Sequence, residues 1–354
     1  MAALWSNSHQ SSFGWGASIN IRLFGLDLNL KTFQQWIAKH SADLSTSAPF
    51  KGVFLAPEYY FTKPDPGKKR EPLDEAARLQ LERNLLSLSN RYPEILIVPG
   101  TVFYAKPLVR GPESSQFRFD PATGTRTLLK TSDPDRRDRI NKKVKAYIVS
   151  VPAQRSAADA DLRRWAGTGF QAGAHHVPSL QEIRASVLDP SKDPWIVRNT
   201  AYLLLGGRRI AKYDKQSDWG EAIGKSPDDL AFVPGVHKQA PEIGGIRFGT
   251  EVCFDHGNGM LARRNITPLH FHLLVSDWVR TSLANMAMSA KGYFLHASTN
   301  YQESCVWWRD TNGALQNISV NPAYWKENRN IPGSPLDAYV VPLPPPLAPP
   351  KPIR

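Results

Sequence analysis

The sequence predicts an α/β fold in which strands and helices alternate around a buried sheet, and three observations carry that prediction. Short apolar runs bounded by turn residues recur along the chain, and amphipathic stretches with helical spacing lie between the first of them. Two cysteines in 354 residues are too few for a disulfide scaffold, so a packed core has to hold the chain together. With 41% hydrophobic residues that core can be large, which excludes a disordered protein. No run approaches the ~18 apolar residues of a membrane span, and the N-terminus lacks the basic and apolar regions of a signal peptide. A soluble protein of a reducing, cytoplasmic compartment is expected, with the Ser-rich N-terminus leaving a leaderless export route open.

The first strand is expected at residues 18–24, SINIRLF, where Ile19, Ile21 and Leu23 alternate with Asn20 and Arg22. A helix follows over residues 30–42. Residues 52–56, GVFLA, read as a strand buried on both faces, and the run ends at Pro57-Glu58. Pro72 suits a first helical position, and Ala77, Leu81, Leu85 and Leu88 recur at helical spacing, so residues 72–91 should form an amphipathic helix. Residues 94–104, EILIVPGTVFY, return to strand and complete a β-α-β-α-β order.

The pattern breaks at residues 106–195, a charged stretch with Pro and Gly and one helical piece at 179–188, which is read as an insertion. Beyond it, residues 199–205 and 209–213 form a hairpin about Gly206-Gly207, and strands are expected at 243–252, 273–276 and 292–297. A short helix is expected at 286–291. The last fifteen residues, VVPLPPPLAPPKPIR, should be an extended tail. The organisation is thus an N-terminal extension (1–17), a main domain (18–310) interrupted by the insertion 106–195, and a C-terminal extension (311–354) with the Pro-rich tail.

Three reactive side chains follow buried strands: Glu58 after FLAP, Lys215 after the 209–213 strand, and Cys253 at the end of IRFGTEV. In an α/β sheet such positions gather at one rim, where sites are usually built. A free thiol of ordinary pKa ~8.5 is mostly protonated at neutral pH, so it needs an ammonium and a carboxylate base to react as thiolate. Carboxylate, ammonium and thiol therefore read as base, oxyanion partner and nucleophile.

In these residues the chain resembles the nitrilase superfamily of carbon–nitrogen hydrolases, whose triad is Glu, Lys and Cys in that order. Pro57-Glu58 matches the family's Pro-Glu. Asn199-Thr200-Ala201, the Gly206-Gly207 turn and Tyr213-x-Lys215 match its strand, turn and lysine. Pro234-Gly235 and Gly249-x-x-x-Cys253-Phe254-Asp255 match its cysteine motif, with Phe254 in place of Tyr. A downstream strand ending at Asn300 also has its counterpart. The resemblance covers most of residues 18–310 outside the insertion. It implies a four-layer α-β-β-α sandwich, association as a dimer or higher oligomer, and a thiol hydrolase that cleaves a nonpeptide C–N bond, amide or carbamoyl, through a Cys253 thioester with no cofactor. It further implies that the Phe254 backbone N–H joins Lys215 around the oxyanion, and that a second glutamate positions the substrate, for which Glu221 is the candidate. The alternatives are a nitrilase converting a nitrile to an acid, or a silent binding protein on the same fold.

Other features are read more plainly. Asp255 fixes the turn after Cys253, and Cys305 is a buried structural thiol. His175, His176, His270 and His272 lack zinc spacing and read as solvated or core histidines, so no metal is implied. The run Arg136, Arg137, Arg139, Lys142, Lys143 and Lys145 alternates with Asp133, Asp135 and Asp138 and reads as a solvated loop. The net charge of +12 therefore fits a small substrate, acidic ones included, admitted past the insertion better than a nucleic acid.

Overall fold

The computed structural model describes residues 2–5, 18–43, 49–62, 71–107, 115–120, 125–130, 195–217, 230–232, 235, 240–264, 266, 268–320, 325–331, 334–342 and 344–345. The chain divides into two compact units, one of Met1–Phe103, Asn199–Tyr213 and Gln239–Arg354, the other of Tyr104–Arg198 and Asp214–Lys238.

The first unit opens with β1 (Ala2–Trp5), α1 (Ile19–Lys39), β2 (Gly52–Leu55), α2 (Glu75–Arg91), β3 (Ile95–Val98) and the start of β4 (Thr101–Pro107), which continues into the second unit. The β-α-β-α-β order therefore holds, but its first strand is β1 and not residues 18–24. Those residues begin α1: the Ser18 hydroxyl caps the helix by accepting from the Ile21 N–H at 3.3 Å. Buried Arg22, Leu26, Asn29, Leu30, Phe33 and Ile37 recur at helical spacing along most of the helix, which outweighs a three-residue alternation. Helix α2 starts at Glu75, three residues later than its proline suggested, because the Asp74 carboxylate accepts from the Ala77 N–H at 2.7 Å and sets the cap there.

Further along lie β5 (Ser115–Asp120) and β6 (Thr125–Lys130), which pair as an antiparallel hairpin, then β7 (Trp195–Leu205), β8 (Arg208–Asp214) and β9 (Leu230–Phe232). In the second unit the start of β7 pairs with β9 in parallel, Trp195 with Leu230 and Val197 with Phe232. The rest of the expected insertion, including residues 179–188 and the basic run, lies outside the described residues.

The chain ends with β10 (Glu242–Ile243), β11 (Ile246–Val252), the short helix α3 (Phe254–Gly257), β12 (Phe271–Ser276), β13 (Tyr293–Ser298), β14 (Cys305–Arg309), β15 (Leu315–Asn317), β16 (Trp325–Ile331) and β17 (Ser334–Tyr339). The stretch set apart as an N-terminal extension contributes β1, which lies between β2, in parallel, and β17, antiparallel. The described tail residues 340–342 and 344–345 belong to no regular element. One sheet runs β16-β17-β1-β2-β3-β7 and the other β10-β11-β12-β13-β14-β15, with β11, β12 and β13 parallel.

The two sheets face each other across a shared core. Val53, Leu55, Leu96, Val98, Ala201 and Leu203 from the first meet Phe248, Val252, Leu273, Val275, Leu295 and Ala297 from the second. Each Val, Leu or Phe among them contributes ~1.5–3 kcal/mol on burial. Helix α1 covers the outer face of the first sheet, with Phe33 against Phe54 at 6.2 Å between ring centres. The outer face of the second sheet is covered, among the described residues, by α3 and the segment carrying Met286 and Met288. The helix expected at 286–291 is absent. Met286 and Met288 are buried with Ala287 between them less so, an alternation of period two, and the Ser289 N–H bonds the Leu269 carbonyl at 2.8 Å.

Pro99-Gly100 splits the expected 94–104 strand into β3 and β4. Gly100 has φ 81°, and a Cβ there would collide with the Pro57 carbonyl oxygen. Gly100→Ala should therefore cost more than the ~1 kcal/mol of an ordinary left-handed glycine replacement, whereas Gly313→Ala, at φ 87° with open space around it, should cost about that. Denaturant midpoints of the two variants check this; equal losses would contradict it.

Candidate active site

Glu58 lies three residues beyond the end of β2 and is buried. Its backbone N–H donates to the Ser276 carbonyl at 3.2 Å, which ties it to the end of β12 in the facing sheet. Its carboxylate is oriented by two donors: the Asn199 amide reaches Oε1 at 2.7 Å, and the Asp277 backbone N–H reaches Oε2 at 3.0 Å. The next residue, Tyr59, has φ 56°, and its N–H is held by the Thr101 hydroxyl at 2.7 Å. The Asn199 of the matched Asn-Thr-Ala strand is thus a positioning partner of Glu58.

Cys253 follows β11 as the residue before α3, in a backbone conformation with φ 49° and ψ −110° that non-glycine residues rarely adopt. Its N–H donates to the Val275 carbonyl at 2.9 Å, and its own carbonyl accepts from the His256 N–H at 2.9 Å. Val275 and Ser276 are the last two residues of β12, so Glu58 and Cys253 are anchored on consecutive carbonyls of one strand end. Phe254 begins α3 and is partly exposed. Asp255 is buried: its carbonyl accepts from the Met260 N–H at 3.0 Å, as a turn-fixing residue should, and its carboxylate accepts from the Tyr213 hydroxyl at 2.8 Å. Burial and the neighbouring Asp255 charge hold the Tyr213 phenol well above its ordinary range, so it remains a donor.

Lys215 lies just beyond β8, in the second unit, and is buried. Its carbonyl accepts from the Gly235 N–H at 2.8 Å, and a Cβ on Gly235 would collide with the Asp214 carbonyl oxygen. That close approach explains why the matched Pro-Gly motif needs its glycine. Glu221 lies outside the described residues.

The sequence reading missed a buried polar network on the outer face of the second sheet. Glu251 Oε2 meets His256 Nδ1 and His272 Nε2, each at 2.9 Å, while Oε1 accepts from the Leu261 N–H at 2.5 Å. Carboxylate and rings converge closely enough to hold a metal ion. The opposite ring nitrogens decide against it: His256 Nε2 accepts from the Ser282 N–H at 3.1 Å, and His272 Nδ1 accepts from the Ala287 N–H at 3.1 Å. A metal-bound imidazole needs a proton on its other nitrogen, which would point at those N–H groups. The arrangement fits two neutral histidines that each donate to Glu251. His270, the other histidine weighed for metal here, accepts from the Arg247 N–H at 2.9 Å and donates to the Pro345 carbonyl at 3.0 Å. His175 and His176 lie outside the described residues.

A second chain of contacts runs from Ser276 through His296 (2.6 Å) to Thr281 (2.9 Å) and Cys305 (3.4 Å). Burial pushes the Cys305 thiol up to about 11, so it stays a protonated, structural cysteine.

No protein-family model matches the chain, and no curated protein does either. Among solved structures the chain is similar to a cysteine-to-alanine mutant of an amidase from the nitrilase superfamily of Nesterenkonia. The identity is 12% over 88% of this chain and 84% of that one, with a TM-score of 0.34. It is also similar to a carbon–nitrogen hydrolase from Helicobacter pylori, at 10% identity over 89% of this chain and 82% of that one, with a TM-score of 0.39.

The buried titratable groups make stability depend on pH. Burial lowers His272 below 6.5 against the pull of Glu251, and burial with the neighbouring histidines lowers His296 well below 6.5. Burial alone would raise Glu251, but its contacts with His272 and His256 outweigh this and hold it below 4.5. The unfolded chain therefore binds protons that the fold refuses. Stability is complete above about pH 6.5, falls as the unfolded histidines charge below it, and falls further as unfolded glutamate protonates near 4.5. Thermal melts from pH 8 to 4 should show this, and His296→Gln should remove up to ~1.4 kcal/mol per pH unit from the first part of the loss. An unchanged slope in that variant would contradict the assignment.

Proposed function

We propose that the chain is a thiol hydrolase of a nonpeptide C–N bond, amide or carbamoyl, with Cys253 as nucleophile, Glu58 as general base and acid, and Lys215 as oxyanion partner. The observation that carries this reading is the left-handed Cys253 at a strand end, anchored on the carbonyl next to the one that anchors a buried, oriented carboxylate. A strained backbone that exposes a nucleophile at a strand–helix turn is a familiar device of hydrolytic sites. Lys215 enters on its motif, Tyr213-x-Lys215, and on its burial, which an ammonium tolerates only when paired.

Glu58 takes the thiol proton as the sulfur attacks the carbonyl carbon, forming the C–S bond and moving an electron pair to the oxygen. The Lys215 ammonium and the Phe254 N–H stabilise that charge. When the C–N bond breaks, Glu58 returns the proton to the departing amine, leaving a thioester. Glu58 then takes a proton from water as the hydroxide attacks, and the C–S bond breaks while Glu58 returns that proton to the leaving sulfur, giving the acid and the free thiol.

An ammonia-release screen over amides, carbamoyl compounds, ureido acids and nitriles tests the reading, with Cys253→Ala as the blank. Glu58→Gln should slow acylation and thioester hydrolysis together and leave a covalent adduct visible by intact mass; wild-type deacylation in that variant would remove Glu58 from the second step. Lys215→Arg, bulkier and forked, should lose ~10²–10³ in kcat, nearly as much as Lys215→Ala. Near-normal turnover of the Arg variant would reduce Lys215 to a diffuse positive field. Release of ammonia from nitriles but not amides would move the chain to nitrile hydrolysis.

A further inference from the structure

The carboxylate of Glu251 touches chain on both sides of Cys253. Glu251 lies two residues before it on β11, His256 three residues after it in α3, and Leu261 at the end of the following turn. The third contact, His272, sits on β12, the strand whose Val275 carbonyl holds the Cys253 N–H. All three partners and the carboxylate are buried, and the two rings are fixed from behind by the Ser282 and Ala287 N–H groups. An apolar residue at 251 would fill this space without the cost of taking an anion out of water. What the anion adds is a set of directed bonds that join the strand before the elbow to the helix and turn after it.

We propose that Glu251 is a positioning residue for Cys253. Its carboxylate, gripped by two neutral histidine donors and one backbone N–H, closes the elbow and keeps Cys253 in the conformation from which the sulfur attacks. The proposal rests on reading Cys253 as the nucleophile. The network cannot absorb an amide at 251: one end of a glutamine would aim N–H donors either at the Leu261 N–H or at the two ring N–H groups. A histidine could accept such a donor only by moving its own proton to the nitrogen that faces Ser282 or Ala287. With the clamp broken, the segment after Cys253 is free to relax and the cysteine to return to an ordinary backbone conformation.

The test uses the full chain and its two thiols. Iodoacetamide labelling is followed by intact mass and peptide mapping, beside steady-state kinetics on the best substrate from the ammonia screen. In the wild-type chain Cys253 should label well before Cys305. In Glu251→Gln, labelling of Cys253 and kcat should both fall by about 10²-fold, KM should stay within ~2-fold, and Cys305 should remain unlabelled. His272→Leu, which has no donor, should behave like Glu251→Gln, and His272→Gln, which restores an N–H donor toward Glu251, should recover most of the rate. A folded Glu251→Gln chain labelling at the wild-type rate would overturn the proposal, as would Cys305 opening in step with Cys253, which marks general loosening. Should Glu251→Gln fail to fold, equal rates in His272→Gln and His272→Leu would overturn it equally. Wild-type Cys253 no more reactive than Cys305 would instead remove the nucleophile itself, a result that separates the two readings.

Discussion

A cysteine at φ 49° and ψ −110° sits in backbone territory that costs of order 1–3 kcal/mol unless its surroundings over-determine it, and the second sheet is arranged to do so. Parallel pairing of β11 with β12 places the Val275 carbonyl under the Cys253 N–H. The same pairing depends on the inner-face layer of Phe248, Val252, Phe271, Leu273 and Val275, which fixes the register, since a one-residue slip would turn that layer out of the core. The following turn is then pinned by Asp255 and Glu251 from opposite ends. Apolar packing on one face of the sheet sets the frame, and polar bonds on the other hold the strained residue inside it.

The polar face also separates two thiols that look alike in the sequence. Cys305 pairs across from His296 on β13 and ends a chain of hydroxyl and imidazole contacts in a buried, unreactive setting. Cys253 is at a turn, with its N–H on the carbonyl next to the one that holds the Glu58 N–H. Position within the sheet, not burial, therefore separates the two sulfurs, since both are buried.

What was legible in the sequence follows from what is local. Apolar runs bounded by turns marked β2, β3, β7, β11, β12 and β13, and Glu58, Lys215 and Cys253 stood out as candidates because each follows an expected strand. The errors came where a short pattern competed with a longer one: Ile19, Ile21 and Leu23 alternate, but the burial of α1 has a helical period, and the two methionines before β13 alternate where a helix was expected. The Glu251 network was hidden because its members come from residues 251, 256, 261, 272, 282 and 287, which only the register of β11 and β12 brings together. A clue was present. Glu251, His272 and His296 each interrupt an apolar strand, and a polar residue inside such a run has to find a partner across the sheet.

The placement of β1 bears on how the molecule is made. It is hydrogen-bonded on one side to β2, encoded soon after it, and on the other to β17, more than three hundred residues later. Leu4 faces Leu55 across one edge and Asp337 across the other. During synthesis the first edge can form early, but the second has to wait until β17 has emerged, leaving an open strand edge in the nascent protein until then. Joining segments so distant along the chain also raises the contact order, so the last step of folding should be slow and the unfinished sheet exposed to pairing with other chains.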